Sequence, residues 1–230
     1  MAKHIGIVAC SYEGAALCYR LICQEASKLM GRYHHPEITM HTHPFNKYMG
    51  CLYRGDWDCT ANLMIESAKK LAACGAEFAI TPDNTIHRAF KKVQASSPIP
   101  WISIIDAVVN EIKRRGFTKV GLLGTTYTMQ GPVYPDALKK GGIDVIIPGK
   151  SDQGMINQVI FDELTSGIIR DSSRQKYLRV IETLKDEGCD GVILGCTEIP
   201  LLITQESSPL PVLDSTRLLA KEALNFSLRD

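Results

Sequence analysis

Residues 75–85 read GAEFAITPDNT, and residues 188–198 read GCDGVILGCTE. Each stretch is a glycine followed by a short apolar run that ends in small and polar residues. This pattern predicts a buried strand followed by a loop. The two stretches align without a gap and set Asp83 opposite Cys196. The chain therefore contains two copies of one structural plan, in which these two residues occupy equivalent positions.

Two further echoes support the duplication. Residues 3–12 read KHIGIVACSY and residues 118–127 read TKVGLLGTTY, each an apolar strand pattern that ends in small and hydroxyl residues. Residues 96–100 read SSPIP and recur as SSPLP at residues 207–211. Three echoes in the same order indicate that the repeat covers most of the chain.

Helical patterns lie between these strands. Residues 62–73 and 177–187 carry apolar side chains at mixed spacings of three and four, and each segment is followed by a glycine suited to a helix C-terminus, Gly75 or Gly188. A third helix is predicted over residues 214–226, where it is expected to pack on the first half. Alternating strands and helices with short loops predict parallel sheets covered by helices.

The predicted fold class is α/β, with two pseudo-symmetric domains, each a parallel sheet flanked by helices, and the active site in the cleft between them. The first domain is expected to comprise residues 1–98 plus 212–230, and the second residues 99–211. Open α/β sheets bind ligands at the carboxyl ends of their strands. Four candidate residues fall at these ends: Ser11, Asp83, Thr125 and Cys196.

Composition excludes several classes of function. The 230 residues are 45% hydrophobic and 22% charged, which is typical of globular proteins, and a net charge of +1 supplies no basic field for nucleic acid. The longest apolar runs are far shorter than the ~20 residues of a membrane span. The chain starts directly in a strand pattern without the features of a signal peptide. We therefore expect a cytoplasmic protein that binds neither nucleic acid nor membranes.

The aligned pair suggests proton chemistry. Removing a proton from a carbon and returning one to its opposite face requires an acid and a base on either side of that carbon. Backbone N–H groups in the loop after Cys196 are suited to stabilise a thiolate. Most of the other seven cysteines are expected to be buried, reduced thiols, since no CxxC pair occurs.

Hydroxyl and amide side chains surround the pair in sequence. They are donors for a substrate carboxylate, and the same residue types also favour turns and helix N-caps, so both roles are compatible. The candidates are Ser11, Asn84, Thr85, Thr125, Thr126 and Thr197. His41 and His43 would share one strand face, but no residue completes a tetrahedral set, so no metal site is expected.

At this point the sequence resembles a known family. Residues 83–87, DNTIH, resemble the first signature of the aspartate/glutamate racemases, Cys-Asn-Thr-x-His, and residues 195–198, GCTE, resemble the second. Residues 123–129 and 160–164 are also similar to family patterns. The resemblance implies a two-domain α/β fold, an expected homodimer, and two facing cysteines that invert an α-carbon without pyridoxal phosphate or metal.

The departures from this family qualify the prediction. Asp83 stands at the position of the first cysteine, and the opening Gly-Gly-Met-Gly reads Ala-Cys-Ser-Tyr at residues 9–12. Lys47 lies where some members carry an arginine for the distal carboxylate of the substrate, whereas Thr165 lies where some carry a second cation. Glu198, in the second signature, is a further candidate substrate-binding residue.

The sequence thus predicts an isomerase, a cofactor-independent racemase of aspartate, glutamate or a related acid, with Asp83 and Cys196 as catalytic residues. Its expected partner is a small amino acid or dicarboxylic acid substrate. Two alternatives remain open. One is a one-cysteine decarboxylase or cis-trans isomerase of a small dicarboxylic acid on the same fold, and the other is an inactive small-acid binding protein.

Overall fold

The computed structural model describes residues 2–229. Contacts divide this part of the chain into two compact units: the first runs to Ala107 and resumes at Thr216, and the second comprises Val108–Ser215. Each unit has its own four-stranded sheet in which every neighbouring pair of strands is parallel. The predicted α/β class, with two parallel sheets flanked by helices, is confirmed.

The two sheets share one strand order. The first contains β1 (Ile5–Ala9), β2 (Ile38–Thr42), β3 (Phe78–Ile80) and β4 (Trp101–Ile102), in the order β2-β1-β3-β4. The second contains β5 (Lys119–Leu123), β6 (Asp144–Ile146), β7 (Gly191–Leu194) and β8 (Val212–Asp214), in the order β6-β5-β7-β8. The equivalence inferred from the repeated sequence is therefore an equivalence of strands as well.

Ten α-helices connect or flank these strands within residues 2–229: α1 (Tyr12–Met30), α2 (Phe45–Tyr53), α3 (Trp57–Ala73), α4 (Phe90–Ser96), α5 (Ile104–Arg115), α6 (Thr126–Met129), α7 (Val133–Lys140), α8 (Lys150–Asp162), α9 (Asp171–Asp186) and α10 (Ser215–Ser227). Short 3₁₀ helices cover Thr85–Ala89, Leu164–Ser166 and Ile199–Leu201. None of the helices in this part of the chain is long and apolar enough to cross a membrane.

Helices α3 and α9 end in the same way. Gly75 and Gly188 have φ angles of 91° and 82°. In α3 the N–H of Ala76 donates to the carbonyl of Leu71, and in α9 the N–H of Cys189 donates to that of Leu184. Both ends are Schellman motifs, which favour glycine at the left-handed position. Both helices begin earlier than the sequence predicts, because apolar spacing detects only the part of each helix that carries a regular buried stripe.

The third sequence echo is also a local structure. Ser97 Oγ donates to the carbonyl of Ile99 at 2.8 Å and accepts from its N–H at 3.3 Å. Ser208 makes the same two bonds with Leu210, at 2.7 and 3.3 Å. Each serine thus shapes the turn that leads into the last strand of its sheet.

Helices cover both faces of the first sheet. Phe78 on β3 packs edge-on against Phe226 of α10, with ring centroids 4.8 Å apart. On the opposite face, a Cβ added to Gly6 of β1 would lie 3.2 Å from Leu71 of α3. Side chains alternate along a strand, so Val8 and Cys10 share the α3 side with Gly6. This side of the sheet carries the polar residues described below.

Two of the eight cysteines depart from the expectation of reduced thiols. Cys51 and Cys59 form a disulfide that joins α2 to the first turn of α3, with Cα atoms 5.7 Å apart. The spacing of eight residues matches no redox or metal motif, so this pair could not be recognised from the sequence.

Candidate active site

Four candidate residues of the first unit lie at the carboxyl ends of two hydrogen-bonded strands. Ser11 follows β1, and Asp83, Asn84 and Thr85 follow β3. Ser11 and Asn84 are buried, whereas Asp83 and Thr85 are partly exposed. Ser11 Oγ also accepts from the N–H of Gly14 at 3.3 Å and caps α1. Ser11 therefore caps a helix and also lies at a strand end, where the sequence predicts a donor for a substrate carboxylate.

Asp83 has a structural role in its own loop. Its Oδ1 accepts from the N–H of Ile86 at 3.0 Å, which satisfies an otherwise unpaired donor of the 3₁₀ helix Thr85–Ala89. This bond fixes the direction of the carboxyl group relative to β3.

His87 holds the Asp83 loop in place. Its Nε2 accepts from the backbone N–H of Ile104 at 3.2 Å, so the ring proton is on Nδ1, which donates to the carbonyl of Asp83 at 2.6 Å. Burial lowers the pKa of His87 to about 4, against an opposing effect of that carbonyl bond. His87 is therefore a neutral imidazole that ties the loop to the start of α5, and it is unsuited to donate protons near neutral pH.

Lys47 lies just beyond β2, on α2, and its side chain is exposed. Its backbone N–H donates to the carbonyl of Pro44 at 3.0 Å. Its charge also contributes to lowering the pKa of His43, after burial and the charge of Lys70. An exposed cation just beyond the end of β2 suits a substrate carboxylate, although no described contact joins it to Asp83.

The two histidines of β2 and its extension are engaged with α3. His41 Nε2 accepts from Lys70 Nζ at 3.1 Å, so its Nδ1 carries the proton and donates to Ser67 Oγ at 2.9 Å. His43 Nε2 lies 3.4 Å from a carboxylate oxygen of Glu66. Because both nitrogens of His41 are hydrogen-bonded, this ring cannot ligate a metal in its present place. Within residues 2–229 no cluster of three or more His, Cys, Asp or Glu side chains is arranged to hold a metal.

In the second unit the candidates lie at the ends of β5 and β7, which are also neighbouring strands. Gly124 and Gly195 let the two strand ends approach closely: a Cβ added to either would lie 2.9 Å from a backbone oxygen of the other strand. Gly195 N also donates to the carbonyl of Leu123 at 2.7 Å. The glycine before Cys196 is thus required for packing.

Thr125 and Thr126 open the helix after β5. Thr125 Oγ1 accepts from the N–H of Thr128 at 3.2 Å and caps α6, and its side chain is buried. The N–H of Thr126 donates to Asn157 Oδ1 on α8 at 2.9 Å. Asn157 was not among the residues that the sequence singled out. A lone Asn in a helix gives no signal that it will hold a loop of a neighbouring strand.

Cys196 and Glu198 are in direct contact. Cys196 Sγ donates to Glu198 Oε2 at 2.9 Å, and Thr197 Oγ1 donates to the same oxygen at 3.1 Å. All three side chains are buried, with Glu198 only 3% exposed. Glu198 remains a predicted substrate-binding residue, and in this structure its carboxylate accepts from the thiol. A thiol beside a buried carboxylate is an arrangement through which a proton can move.

Tyr177 of α9 is a further neighbour of this thiol. Its hydroxyl donates to the carbonyl of Ile156 at 3.1 Å. Burial raises its pKa well above the usual value, and the charges of Cys196 and Glu163 add to the effect. The phenol therefore stays protonated, and Tyr177 neither takes up nor releases a proton.

The chain is thus a two-unit α/β protein with acid-base side chains at the carboxyl ends of parallel strands. It belongs to the Asp/Glu/hydantoin racemase family, whose family model matches residues 6–223. The family that the sequence resembles is therefore confirmed.

Individual relatives agree with the assignment. A crystal structure of a proposed Asp/Glu racemase from Yersinia pestis is 36% identical, covers 99% of this chain and 100% of its own, and superposes with a TM-score of 0.90. An aspartate racemase homologue from Pyrococcus horikoshii OT3 is 32% identical with complete coverage of both chains and a TM-score of 0.84. The broad specificity amino-acid racemase RacX of Bacillus subtilis (strain 168) is 28% identical over 176 residues, 75% of this chain and 74% of RacX.

Proposed function

We propose that this protein is a cofactor-independent isomerase that racemises aspartate, glutamate or a related acid. The observation that carries the proposal is the hydrogen bond from the Cys196 thiol to the buried Glu198 carboxylate at the end of β7. Membership of the racemase family and the names of the relatives support the same class of reaction.

In the proposed mechanism each unit supplies one proton-transfer group. Cys196 passes its thiol proton to Glu198, and the resulting thiolate removes the α-proton of one enantiomer. Asp83, in its acid form, donates a proton to the opposite face of the carbanion and is left as a carboxylate. The reverse reaction runs the same transfers backwards, so no net proton is consumed.

Binding of the substrate is assigned to the polar residues at the strand ends. Hydroxyl, amide and backbone donors hold the α-carboxylate and stabilise the charge that develops as the proton leaves. These donors come from Ser11, Asn84, Thr85, Thr125, Thr126 and Thr197. The exposed ammonium of Lys47 is assigned to a second carboxylate on the substrate, which gives a preference for dicarboxylic amino acids.

The direct test follows the α-proton by NMR in D₂O with four probes, L-aspartate, D-aspartate, L-glutamate and D-glutamate. We expect loss of the α-proton signal of at least one pair of enantiomers. Replacement of Cys196 by Ala and of Asp83 by Asn should each reduce that exchange by ~100-fold or more, the usual contribution of a general acid or base. Wild-type protein that exchanges no α-proton of these four probes would refute the proposed substrate class.

A one-thiol reaction is the second candidate, and one observation favours it. Asp83 Oδ1 already accepts from the N–H of Ile86, so this carboxylate has a structural role that needs no proton transfer. In a decarboxylase of a substituted malonate or a cis-trans isomerase of an unsaturated diacid, Cys196 alone would deliver the proton. Release of CO₂ from phenylmalonate, or a change in the absorbance of maleate, without α-exchange of amino acids would favour this alternative.

A further inference from the structure

Helix α6 is too short to be stable by itself. It has four residues, Thr126–Met129, with Thr125 as its N-cap and Gln130 as its C-cap. Isolated helices shorter than about 12 residues are marginal in water, so contacts with neighbouring elements must hold this one. Two of the residues assigned to substrate binding, Thr125 and Thr126, are therefore placed by a segment whose position depends on its surroundings.

Two amide side chains of α8 bind the two ends of α6. At the start, Asn157 Oδ1 accepts from the backbone N–H of Thr126 at 2.9 Å. At the end, Gln153 Oε1 accepts from Gln130 Nε2 at 2.8 Å. Residues four positions apart lie on the same side of a helix, so the side chains of Gln153 and Asn157, here called the amide pair, face α6 together.

The orientation of the Gln153 amide is determined by its partners. Its Nε2 donates to the carbonyl of Pro148 at 2.7 Å, and a proline carbonyl has no proton to give. The oxygen of this amide must then face Gln130, as observed. Gln153 is buried, and both ends of its amide are hydrogen-bonded inside the protein. Gln153 therefore joins α6 to the segment that follows β6.

Helix α6 also packs against the residue before Cys196. Thr128 of α6 is buried, and its Cγ2 would lie 3.2 Å from a Cβ added to Gly195. The same methyl group would lie 3.1 Å from a Cβ added to Gly124. Because both distances are shorter than an ordinary contact, α6 lies directly against the ends of β5 and β7. The amide pair thus holds a helix that touches both strand ends of the candidate site.

We propose that Gln153 and Asn157 are positioning residues of the substrate site. By binding both ends of α6, the amide pair fixes the hydroxyl groups of Thr125 and Thr126 at the carboxyl end of β5, ready for the α-carboxylate of the substrate. The inference rests on the proposed function, because it assigns the amide pair to the binding step at that same site. Neither amide contacts substrate in this role.

The role has a kinetic signature. A site that is correctly arranged only part of the time binds its ligand more weakly, by the fraction of molecules that are competent. The cost of ordering α6 is then met when substrate binds, before the chemical step, and it weakens the substrate complex and the transition state equally. Loss of the amide pair should therefore raise KM and leave kcat nearly unchanged.

The test compares Asn157→Ala with Asn157→Asp, which keeps an acceptor oxygen. In Asn157→Ala we expect the amide hydrogen of Thr126 to exchange with D₂O about 10-fold faster, followed by ¹⁵N NMR, because it loses its acceptor. The KM for the racemised amino acid should rise by about 10-fold, with kcat within about twofold of the wild type. Asn157→Asp should bring both the exchange rate and KM back toward the wild-type values.

Gln130→Ala removes the second bond from the α6 side. Gln130 is exposed, so this variant leaves no buried gap, and it keeps the test decisive if Asn157→Ala does not fold. The exchange rate of the Thr126 amide and KM should both rise, as in Asn157→Ala. Gln158→Ala is the matched control, because Gln158 is exposed on α8 and loses the same amide group. Neither quantity should change in the control.

Two results would overturn the positioning role. The first is a wild-type exchange rate of the Thr126 amide and a wild-type KM in both Asn157→Ala and Gln130→Ala. The second is a lower kcat at unchanged KM, since the effect would then lie in the chemical step.

The failure of this inference and of the proposed function are distinguishable. If wild-type protein exchanges no α-proton of aspartate or glutamate, the proposed function fails. The exchange of the Thr126 amide needs no substrate and then decides alone: a rate that rises in Asn157→Ala and recovers in Asn157→Asp supports the amide pair, and an unchanged rate refutes it. If Cys196→Ala abolishes α-proton exchange while Asn157→Ala and Gln130→Ala retain the wild-type KM, the proposed function stands and the positioning role fails.

Discussion

The thiol of Cys196 and the carboxylate of Glu198 form one buried hydrogen-bonded pair, with Sγ 2.9 Å from Oε2. We expect Glu198→Gln to lower α-proton exchange of aspartate or glutamate by about 100-fold, because glutamine can accept the thiol hydrogen bond but cannot take up its proton. The rate of α-proton loss in D₂O, measured for each enantiomer separately, checks this prediction.

The control for Glu198 is Glu182→Gln. Glu182 lies exposed on α9 and bonds to Lys185 Nζ at 3.0 Å, so the same chemical change is made away from the thiol. Exchange in Glu182→Gln should match that of the wild type. If Glu198→Gln also retained wild-type exchange, Glu198 would be a binding or packing residue only.

Because His87 is buried as a neutral ring, the stability of the protein should depend on pH. Its pKa is lowered by burial from 6.5 to about 4 in the folded protein, so the unfolded state takes up a proton first as the pH falls. The stabilisation from the neutral ring is complete above about pH 6.5 and is lost as the pH falls toward 4. Between pH 7.5 and pH 5 this costs about 2 kcal/mol of unfolding free energy.

The measurement compares urea denaturation of wild type and His87→Gln at these two pH values. Glutamine has no titrating group, so the variant should lose about 2 kcal/mol less than the wild type on going to pH 5. The variant should also be less stable at pH 7.5, because the bonds to Asp83 and Ile104 are disturbed. Equal pH dependence in both proteins would contradict the neutral, buried ring.

Much of the fold could be predicted because the sequence repeats its own plan. The strands around Asp83 and Cys196, the glycines after α3 and α9, and the paired turns at Ser97 and Ser208 all follow local rules of propensity and capping. Those rules act over a few residues, which is why they can be recognised in a linear sequence.

The relations that could not be predicted join residues distant in the sequence or depend on side-chain direction. The bond between His87 and Ile104 and the bond of Thr126 to Asn157 arise only when helices pack on the sheet. The contact of Glu198 with Cys196 is local, yet its carboxylate had equal reason to face a substrate. Residue type alone does not choose between these directions.

The protein should be more stable with the Cys51–Cys59 disulfide than without it. It closes a loop of eight residues between α2 and α3, and the chain-entropy model assigns about 2–3 kcal/mol to a loop of this size. The double replacement of both cysteines by Ala should lower the unfolding free energy by that amount. Cys74→Ala is the control, because Cys74 is exposed and outside the disulfide. An unchanged urea midpoint in the double variant would mean that the pair contributes nothing to stability.

Replacing Gly188, the glycine that ends α9, should lower the stability of the protein. Gly188 has a φ of 82°, and a Cβ added there meets nothing closer than Lys119 Nζ at 4.0 Å, so Gly188→Ala tests backbone conformation without a steric clash. We expect the unfolding free energy to fall by about 1 kcal/mol, because alanine disfavours the left-handed region.

Gly154 lies exposed within α8, with no atom within 4 Å of an added Cβ. There the same substitution should stabilise the protein by about 1 kcal/mol through helix propensity. Urea unfolding of the two variants should therefore shift in opposite directions, and shifts of the same sign would contradict the assigned end of α9.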